Sequence, residues 1–170
     1  VNMKLHNDNL IFSPSDLILF LESPFASWME HFSLISPEAL DFKDQDDAMM
    51  LMLQDKGAEH ESSVLEGLKR QGLTIEDIGL SSDKKAATIQ AMKEGADVVF
   101  QACLSQDQFT GFADFLVKVP GSSQLGDYHY EIWDTKLSKS LQPYYTIQLC
   151  CYQEMIAAIQ GRYSDDFVII

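Results

Sequence analysis

Apolar residues recur at helical spacing over the first half of the chain. The sequence Ser-Pro-Ser-Asp at 13–16 has the N-cap and capping-box residues of a helix start, and 25–32 has the composition of a second short helix. The longest helical pattern covers 46–70. A short strand over 73–78 and a short helix over 86–94 follow. We therefore expect a helical part at the N-terminus.

From residue 97 onward the pattern changes to β-branched and aromatic runs separated by turn sequences. Three runs, over 97–104, 109–119 and 128–137, predict an antiparallel meander of three strands. A helix over 144–160 follows, and 166–170 begin a fourth strand. A strand reached through a crossover helix commonly joins its sheet in parallel. The pattern therefore predicts an α/β fold, with a mixed central sheet of about four strands flanked by helices.

Length and composition fit one globular domain over 1–170. Of the 170 residues, 46% are hydrophobic and 22% are charged, which is enough to bury a core without disulfides. No run approaches the ~18 apolar residues of a membrane span, and the first residues lack the apolar core of a secretory signal. We expect a soluble, cytoplasmic protein with no membrane partner. The strand that only begins at 166–170 indicates the N-terminal fragment of a longer protein.

The net charge of −14 argues against a nucleic-acid binder that works through a broad basic face. Much of the acidic excess lies between Glu38 and Glu61, which we interpret as a solvated loop and helix face. Lys118, Lys136 and Lys139 instead fall on or near the predicted strands. Any contact with nucleic acid must therefore be local.

Two neighbouring predicted strands each carry an aspartate among apolar residues. Asp134 and Lys136 are two apart, so in a strand both side chains leave the same face. Asp114 lies on the neighbouring predicted strand, and facing residues of paired strands lie within about 5 Å. The two carboxylates can therefore converge on Mg²⁺, which prefers oxygen ligands, beside an ammonium that holds a water or a phosphate oxygen. A metal-dependent phosphodiesterase needs these groups.

Each of these residues also has a structural explanation. Asp134 and Lys136 could form a surface ion pair worth under ~1 kcal/mol, with Asp114 only ending a strand. Gly111 indicates either a bulge or close backbone approach near Asp114, or a plain hairpin glycine. The joint occurrence of Asp114, Asp134 and Lys136 among apolar residues indicates a cleft, which favours the functional interpretation.

Two helical positions add weaker candidates. His60 is flanked by acids on the long predicted helix and could supply a nitrogen ligand, although a single histidine on a helix is more often structural. Gln148 and Tyr152 are four apart on the last predicted helix, so their side chains project together. They could hold Lys136 or contact a DNA phosphate, or they could mark an amphipathic boundary with Tyr152 in the core.

Four short motifs, taken in order, resemble the RecB-type nucleases of the PD-(D/E)xK superfamily. They are Lys56-Gly57-x-x-His60-Glu61, Gly111-x-x-Asp114, Asp134-x-Lys136 and Gln148-x-x-x-Tyr152. The start at 13–17 and Ser23-Pro24 also match, so the resemblance spans nearly the whole chain. The chain is similar in particular to uncharacterised bacterial RecB-like proteins in which such a domain precedes a superfamily 1 helicase. The resemblance implies a restriction-endonuclease-like core.

The resemblance also implies roles for the site residues. The ligands that it implies for Mg²⁺ or Mn²⁺ are His60, Asp114, Asp134 and the backbone carbonyl of Thr135. The catalytic lysine would be Lys136, and Gln148 with Tyr152 would form the helix motif typical of RecB-type exonucleases. The implied enzyme is a deoxyribonuclease of DNA repair or recombination, an exonuclease rather than an endonuclease, with a helicase in the same chain or as a partner.

The cysteines depart from many members of that family. Relatives such as the CRISPR-associated exonucleases and the AddB nucleases carry four cysteines that bind a [4Fe–4S] cluster, the first of them before the proline of the first helical region. Here Ser23 takes that place, and Cys150 and Cys151 lie inside the motif helix. Cys103 and this adjacent pair lack zinc-site spacing and are expected to be reduced. We expect no iron–sulfur cluster.

Three hypotheses for the function therefore stand beside one another. The first is a metal-dependent DNA nuclease, favoured by Asp114, Asp134 and Lys136. The second is a catalytically silent RecB-like module that contacts DNA or protein within a larger helicase, favoured by the acidity of the chain. The third is a metal-dependent hydrolase of another phosphate ester on an unrelated fold.

Overall fold

The computed structural model describes residues 3–7, 9–36, 38–39, 48–138 and 140–170. In chain order, their helices and strands are β1 (Lys4–His6), β2 (Asn9–Ile11), α1 (Pro14–Glu22), α2 (Pro24–Ile35), α3 (Ala48–Arg70), β3 (Ile75–Asp77), α4 (Lys84–Glu94), β4 (Val98–Gln106), β5 (Phe109–Ser123), β6 (Gly126–Asp134), α5 (Pro143–Gln160) and β7 (Phe167–Ile169). A 3-10 turn, Ile78–Leu80, connects β3 to α4. The loop expected in the acidic stretch that begins at Glu38, and the predicted helix start at 46–47, lie largely outside the described residues, as does Lys139.

The capping sequence at the start of α1 forms as predicted. The Ser13 hydroxyl oxygen accepts from the Asp16 amide at 3.3 Å, and the Asp16 carboxylate accepts from the Ser13 amide at 2.7 Å. Such a cap stabilises a helix by about 1 kcal/mol. Ser23 ends α1 and caps α2 by accepting from the Ala26 amide at 3.1 Å. Ser23 is therefore the single residue at the corner between the two helices.

The central sheet has the strand order β3-β4-β5-β6-β7. The predicted antiparallel meander of β4, β5 and β6 is confirmed, and β7 joins β6 in parallel after the crossover helix α5. The expectation of about four strands is wrong, because β3 pairs in parallel with β4 and makes a fifth. The sequence pattern also did not predict the separate antiparallel hairpin of β1 and β2.

Helices cover both faces of this sheet. On one face, Leu68 of α3 packs against Val98, Phe115 and Val117, and we call this the α3-side cluster. On the other face, α4 and α5 contribute to a larger core, the α5-side cluster, whose buried members include Met92, Leu116, Ile132, Leu149 and Ile156. Full burial of such a side chain contributes roughly 1.5–3 kcal/mol. The fold is thus a three-layer α/β arrangement.

None of the helices in the described ranges combines the length and the apolar character needed to cross a lipid bilayer.

Candidate active site

Asp134 is the last residue of β6, and Asp114 lies beside it within β5. Phe115 pairs with Trp133 in the β5–β6 ladder, so the two aspartates occupy the next positions of the same ladder. Both the amide and the hydroxyl of Thr135 donate to Oδ2 of Asp114, at 2.7 and 2.8 Å. The structure therefore brings the two predicted carboxylates together and fixes the Asp114 side chain against the segment that follows β6.

Lys136 forms an ion pair with Asp134. Its ammonium also lies 5.3 Å from the centroid of the Tyr145 ring, at the start of α5. The Lys136 amide donates to the Ile170 carbonyl at 2.9 Å, and the Ile170 amide donates to the Asp134 carbonyl at 2.9 Å. Two hydrogen bonds to Ile170, which follows β7, therefore hold the main chain of residues 134–136 at the point where β6 ends.

Asp134 is buried, so the surface-pair explanation for this residue is wrong. Its side chain is 2% exposed. Burial, with the nearby Asp114 charge, raises the pKa of Asp134 to about 6, against the opposing effect of Lys136. Its Oδ2 atom is the ion-pair partner of the Lys136 ammonium. An ionised carboxylate has about four lone-pair sites, so Asp134 can bind a cation in addition to that ammonium.

Glu61 of α3 is a site residue to which the sequence analysis gave no role. Burial first, and then the Asp114 charge, raise the pKa of Glu61 to about 7; Asp134 and Asp77 add to the increase, and a hydrogen bond from Gln101 opposes it. The Glu61 carboxylate therefore lies near enough to the two aspartates for their charges to act on it. A sequence signal existed, because 61, 64, 65 and 68 form one helical stripe and the last three of these positions pack on the sheet.

His60 lies at the margin of the site. Its Nε2 atom is 3.3 Å from the carbonyl oxygen of Ile170, the same oxygen that accepts from the Lys136 amide. His60 is thus connected to the motif segment through main chain. Its role as a metal ligand stays a prediction.

Gln101 of β4 is the second residue that the sequence analysis missed. Its amide nitrogen donates to Oε1 of Glu61. It lies opposite Asp114, between the paired residues Phe100 and Ala102, and its φ of 55° is left-handed. Glutamine carries no sequence signature for that conformation, which favours glycine and asparagine.

Tyr152 supports the strand that carries Asp114. The phenol is buried and donates to the Phe112 carbonyl at 2.7 Å, and Gln148 hydrogen-bonds the same phenol. Burial is the main cause that raises the pKa of Tyr152. A Cβ atom at Gly111 would lie 2.7 Å from Tyr152 Cε1 and 3.0 Å from Pro14 Cδ, so this glycine marks a close approach. These contacts connect Tyr152, and Gln148 through it, to β5. The predicted contact of the pair with Lys136 or with a DNA phosphate stays a prediction.

The described residues contain no group of three or more His, Cys, Asp or Glu side chains arranged to hold a metal ion. The charge distribution nevertheless suits a cation. Three carboxylates, Glu61, Asp114 and Asp134, act on one another, and the pKa values of Glu61 and Asp134 rise in part for that reason. Carboxylate oxygens are the ligands that Mg²⁺ and Mn²⁺ prefer. The residues present therefore fit such an ion in chemical type, although their side chains are not convergent.

Cys103 is buried in β4, whereas Cys150 and Cys151 lie in α5, and all three are free thiols.

No family model, no curated protein and no solved structure matches the chain significantly.

Proposed function

We propose that this protein is a metal-dependent deoxyribonuclease of the RecB type, with a restriction-endonuclease-like core. One observation carries the proposal: Asp114 within β5 lies beside Asp134 at the end of β6, and Asp134 is buried and paired with Lys136. The order of helix, three-strand meander, crossover helix and parallel strand supports the implied core. The motifs and the geometry thus support the same reaction class.

The chain supplies oxygen ligands for a divalent cation. Asp114, Asp134 and the Thr135 carbonyl would hold Mg²⁺ or Mn²⁺, with Glu61 added from α3 and His60 as the nitrogen ligand that the resemblance implies. When bound, such an ion polarises a phosphoryl oxygen and lowers the pKa of an attacking water. Thr135 keeps the Asp114 carboxylate beside Asp134 through its two hydrogen bonds.

Lys136 has a different task from the carboxylates. Its ammonium is half-buried between Asp134 and the Tyr145 ring, so its position is restrained. A fixed positive charge there orients a water molecule and neutralises negative charge that develops on the phosphoryl group. Lys136 would therefore act in the chemical step, whereas the carboxylates would hold the metal.

DNA is the substrate that we infer, from the resemblance of the motifs. The chain carries a net charge of −14, so its contact with phosphates must be confined to the site and its cation. We infer exonuclease activity in cytoplasmic DNA repair or recombination, next to a helicase in the same polypeptide or as a partner.

End-labelled DNA provides the test. Single- and double-stranded substrates labelled at either end are incubated with the protein in EDTA, and then with excess Mg²⁺ or Mn²⁺. We expect no cleavage in EDTA and restored cleavage after addition of metal, with mononucleotide or short products from an end. Internal nicks would show that the enzyme is an endonuclease and not an exonuclease. Cleavage that persists in EDTA would overturn the metal-dependent mechanism.

A specific observation also favours the catalytically silent interaction module. The corner between α1 and α2 exposes large apolar side chains, with Phe25 71% and Trp28 54% exposed. The rings of Phe25 and Trp28 stack on each other at 6.2 Å, and Trp28 stacks on Phe32 at 5.2 Å. An exposed apolar patch of this kind is typical of a protein-binding surface. A folded protein that cleaves no DNA with either metal would support this second function.

A further inference from the structure

The alternation of side chains in β4 reverses at Gln101. Val98 and Phe100 pack in the α3-side cluster, whereas Ala102 and Leu104 pack in the α5-side cluster. In an uninterrupted strand, residues two apart share a face, so Phe100 and Ala102 would lie on the same side of the sheet. The reversal therefore occurs at the one residue between them, which has the left-handed φ of 55°.

The neighbouring strand shows the same reversal at the opposite position. Phe115 of β5 packs in the α3-side cluster and Ala113 packs in the α5-side cluster, although they too are two apart. The residue between them is Asp114. The two strands therefore break their alternation together, at the point where Gln101 faces the candidate metal ligand.

The side chain of Gln101 gives a reason for a non-glycine residue at this point. A left-handed φ is sterically unfavourable for glutamine and carries no steric penalty for glycine, and such conformations concentrate at functional sites. The amide of Gln101 donates to the Glu61 carboxylate, which comes from a helix on one face of the sheet. Glycine at 101 would relieve the backbone and lose this contact.

We propose that Gln101 is a positioning residue, which restrains the Glu61 carboxylate beside the strand pair that carries Gln101 and Asp114, so that Glu61 can add a ligand to a divalent cation bound by Asp114 and Asp134. This inference rests on the proposed function, because it assumes the metal centre described above. Gln101 itself touches neither metal nor substrate. Gln101 acts through Glu61. The break in the alternation of β4 and β5 places the Gln101 side chain within reach of the Glu61 carboxylate.

The test compares stability with metal affinity in the variant Gln101→Gly. We expect the Tm in EDTA to equal or exceed that of the wild type, because the left-handed backbone is relieved. We expect the Kd for Mn²⁺, measured by calorimetry and by electron paramagnetic resonance, to rise roughly 10–100-fold, as is usual for loss of a residue that supports a ligand. If Gln101 only stabilised the sheet, Gln101→Gly would lower the Tm and leave the Kd for Mn²⁺ unchanged.

Two further variants make the comparison specific. Asp107, in the turn between β4 and β5, has a φ of 51° and is exposed, so Asp107→Gly should also preserve or raise Tm while leaving Mn²⁺ affinity unchanged. In a Glu61→Gln background, Gln101→Gly should cause no additional loss of affinity, because the two residues act as a unit.

The outcomes separate this inference from the nuclease itself. Wild-type Mn²⁺ affinity in Gln101→Gly, or a fall in Tm that accompanies the loss of affinity, would overturn the positioning role and leave the metal centre standing. Failure of the wild-type protein to bind Mn²⁺ would overturn both. The expected loss of affinity in a protein that cleaves no DNA would support the positioning role and overturn the nuclease.

Discussion

Thr135 connects the two aspartates of the candidate site. Its amide and hydroxyl both donate to Asp114, while its neighbours in the chain are the buried Asp134 and its partner Lys136. One tripeptide therefore orients one carboxylate, supplies a second and adds an ammonium. The roles can be separated by changing one charge at a time.

The charge of Asp114 is expected to serve metal binding and not folding. In Asp114→Asn the amide oxygen can still accept from Thr135, while the repulsion that Asp114 exerts on Glu61 and Asp134 disappears. We expect the free energy of unfolding in EDTA, from urea titration, to be unchanged or higher. Calorimetry should show Mn²⁺ affinity at least about tenfold weaker. A large loss of stability with unchanged Mn²⁺ binding would assign Asp114 a purely structural role.

At the scale of elements, α1 and α5 meet β5 at Gly111. There is no room for a methyl group, since a Cβ atom would lie 2.7 Å from Tyr152 and 3.0 Å from Pro14. We expect Gly111→Ala to lower the free energy of unfolding by roughly 1–3 kcal/mol, the usual cost of overpacking. Chemical denaturation measures this change.

A second glycine provides the matched control. A Cβ atom at Gly67 in α3 meets nothing within 4 Å, so Gly67→Ala should raise stability by about 0.5–1 kcal/mol through helix propensity. Equal effects of the two substitutions would show that the Tyr152 contact does not constrain β5.

Asp97, just before β4, contacts Lys118 of β5 and Thr74, which precedes β3. It pairs with Lys118 at 2.6 Å and accepts from the amide and hydroxyl of Thr74 at 3.0 and 2.7 Å. The hydrogen bond from Lys118 and those from Thr74 lower the pKa of Asp97 from 3.8 to about 2. Because the folded-state pKa is depressed, the ionised carboxylate stabilises the fold above its unfolded-state pKa and loses that effect as the pH falls through the folded-state value.

The variant Asp97→Asn tests this pH dependence. Its Tm should be lower than that of the wild type at pH 7, and the difference should shrink as the pH falls from about 4 to about 2. Scanning calorimetry across this range measures both curves. A difference in Tm that stays constant down to pH 2 would contradict the assigned ionisation.

Local signals explain why most element boundaries could be predicted. Ser13 and Asp16 cap α1, while Gly95 and Gly161 end α4 and α5 with left-handed φ values of 74° and 72°. The hairpin of β1 and β2 was missed because strands of three residues are too short to show alternation. The addition of β3 to the sheet depends on a parallel, non-local pairing, which no local pattern specifies.

The candidate site was predictable to a lesser extent. Asp114 and Asp134 could be placed together because both lie on consecutive antiparallel strands. Glu61 could have been found from its place on the buried stripe of α3, whereas the left-handed conformation of Gln101 has no counterpart in residue type. The contact of His60 with the Ile170 carbonyl depends on where β7 ends, which is a tertiary property.

At the scale of the whole molecule, the site is assembled from both helical layers. Glu61 lies near the aspartates on α3, which covers one face of the sheet, while the ring of Tyr145 lies near Lys136 on α5, which covers the other face. The overall charge of −14 would oppose the approach of DNA, so in the proposed nuclease a cation beside the carboxylates would have both a structural and a chemical purpose. We therefore expect removal of the metal to lower the nuclease activity more than substitution of any single surface residue does.

The most direct test of the account measures Mn²⁺ binding and DNA degradation on the same samples of wild type, Lys136→Ala and Lys69→Ala. Lys69 is the matched control, since it forms an exposed pair with Glu66 near the end of α3. We predict that all three bind Mn²⁺ similarly, that Lys69→Ala degrades DNA like the wild type, and that Lys136→Ala is slower on the order of 10²–10³-fold. Equal degradation by Lys136→Ala, or degradation that needs no metal, would contradict the account.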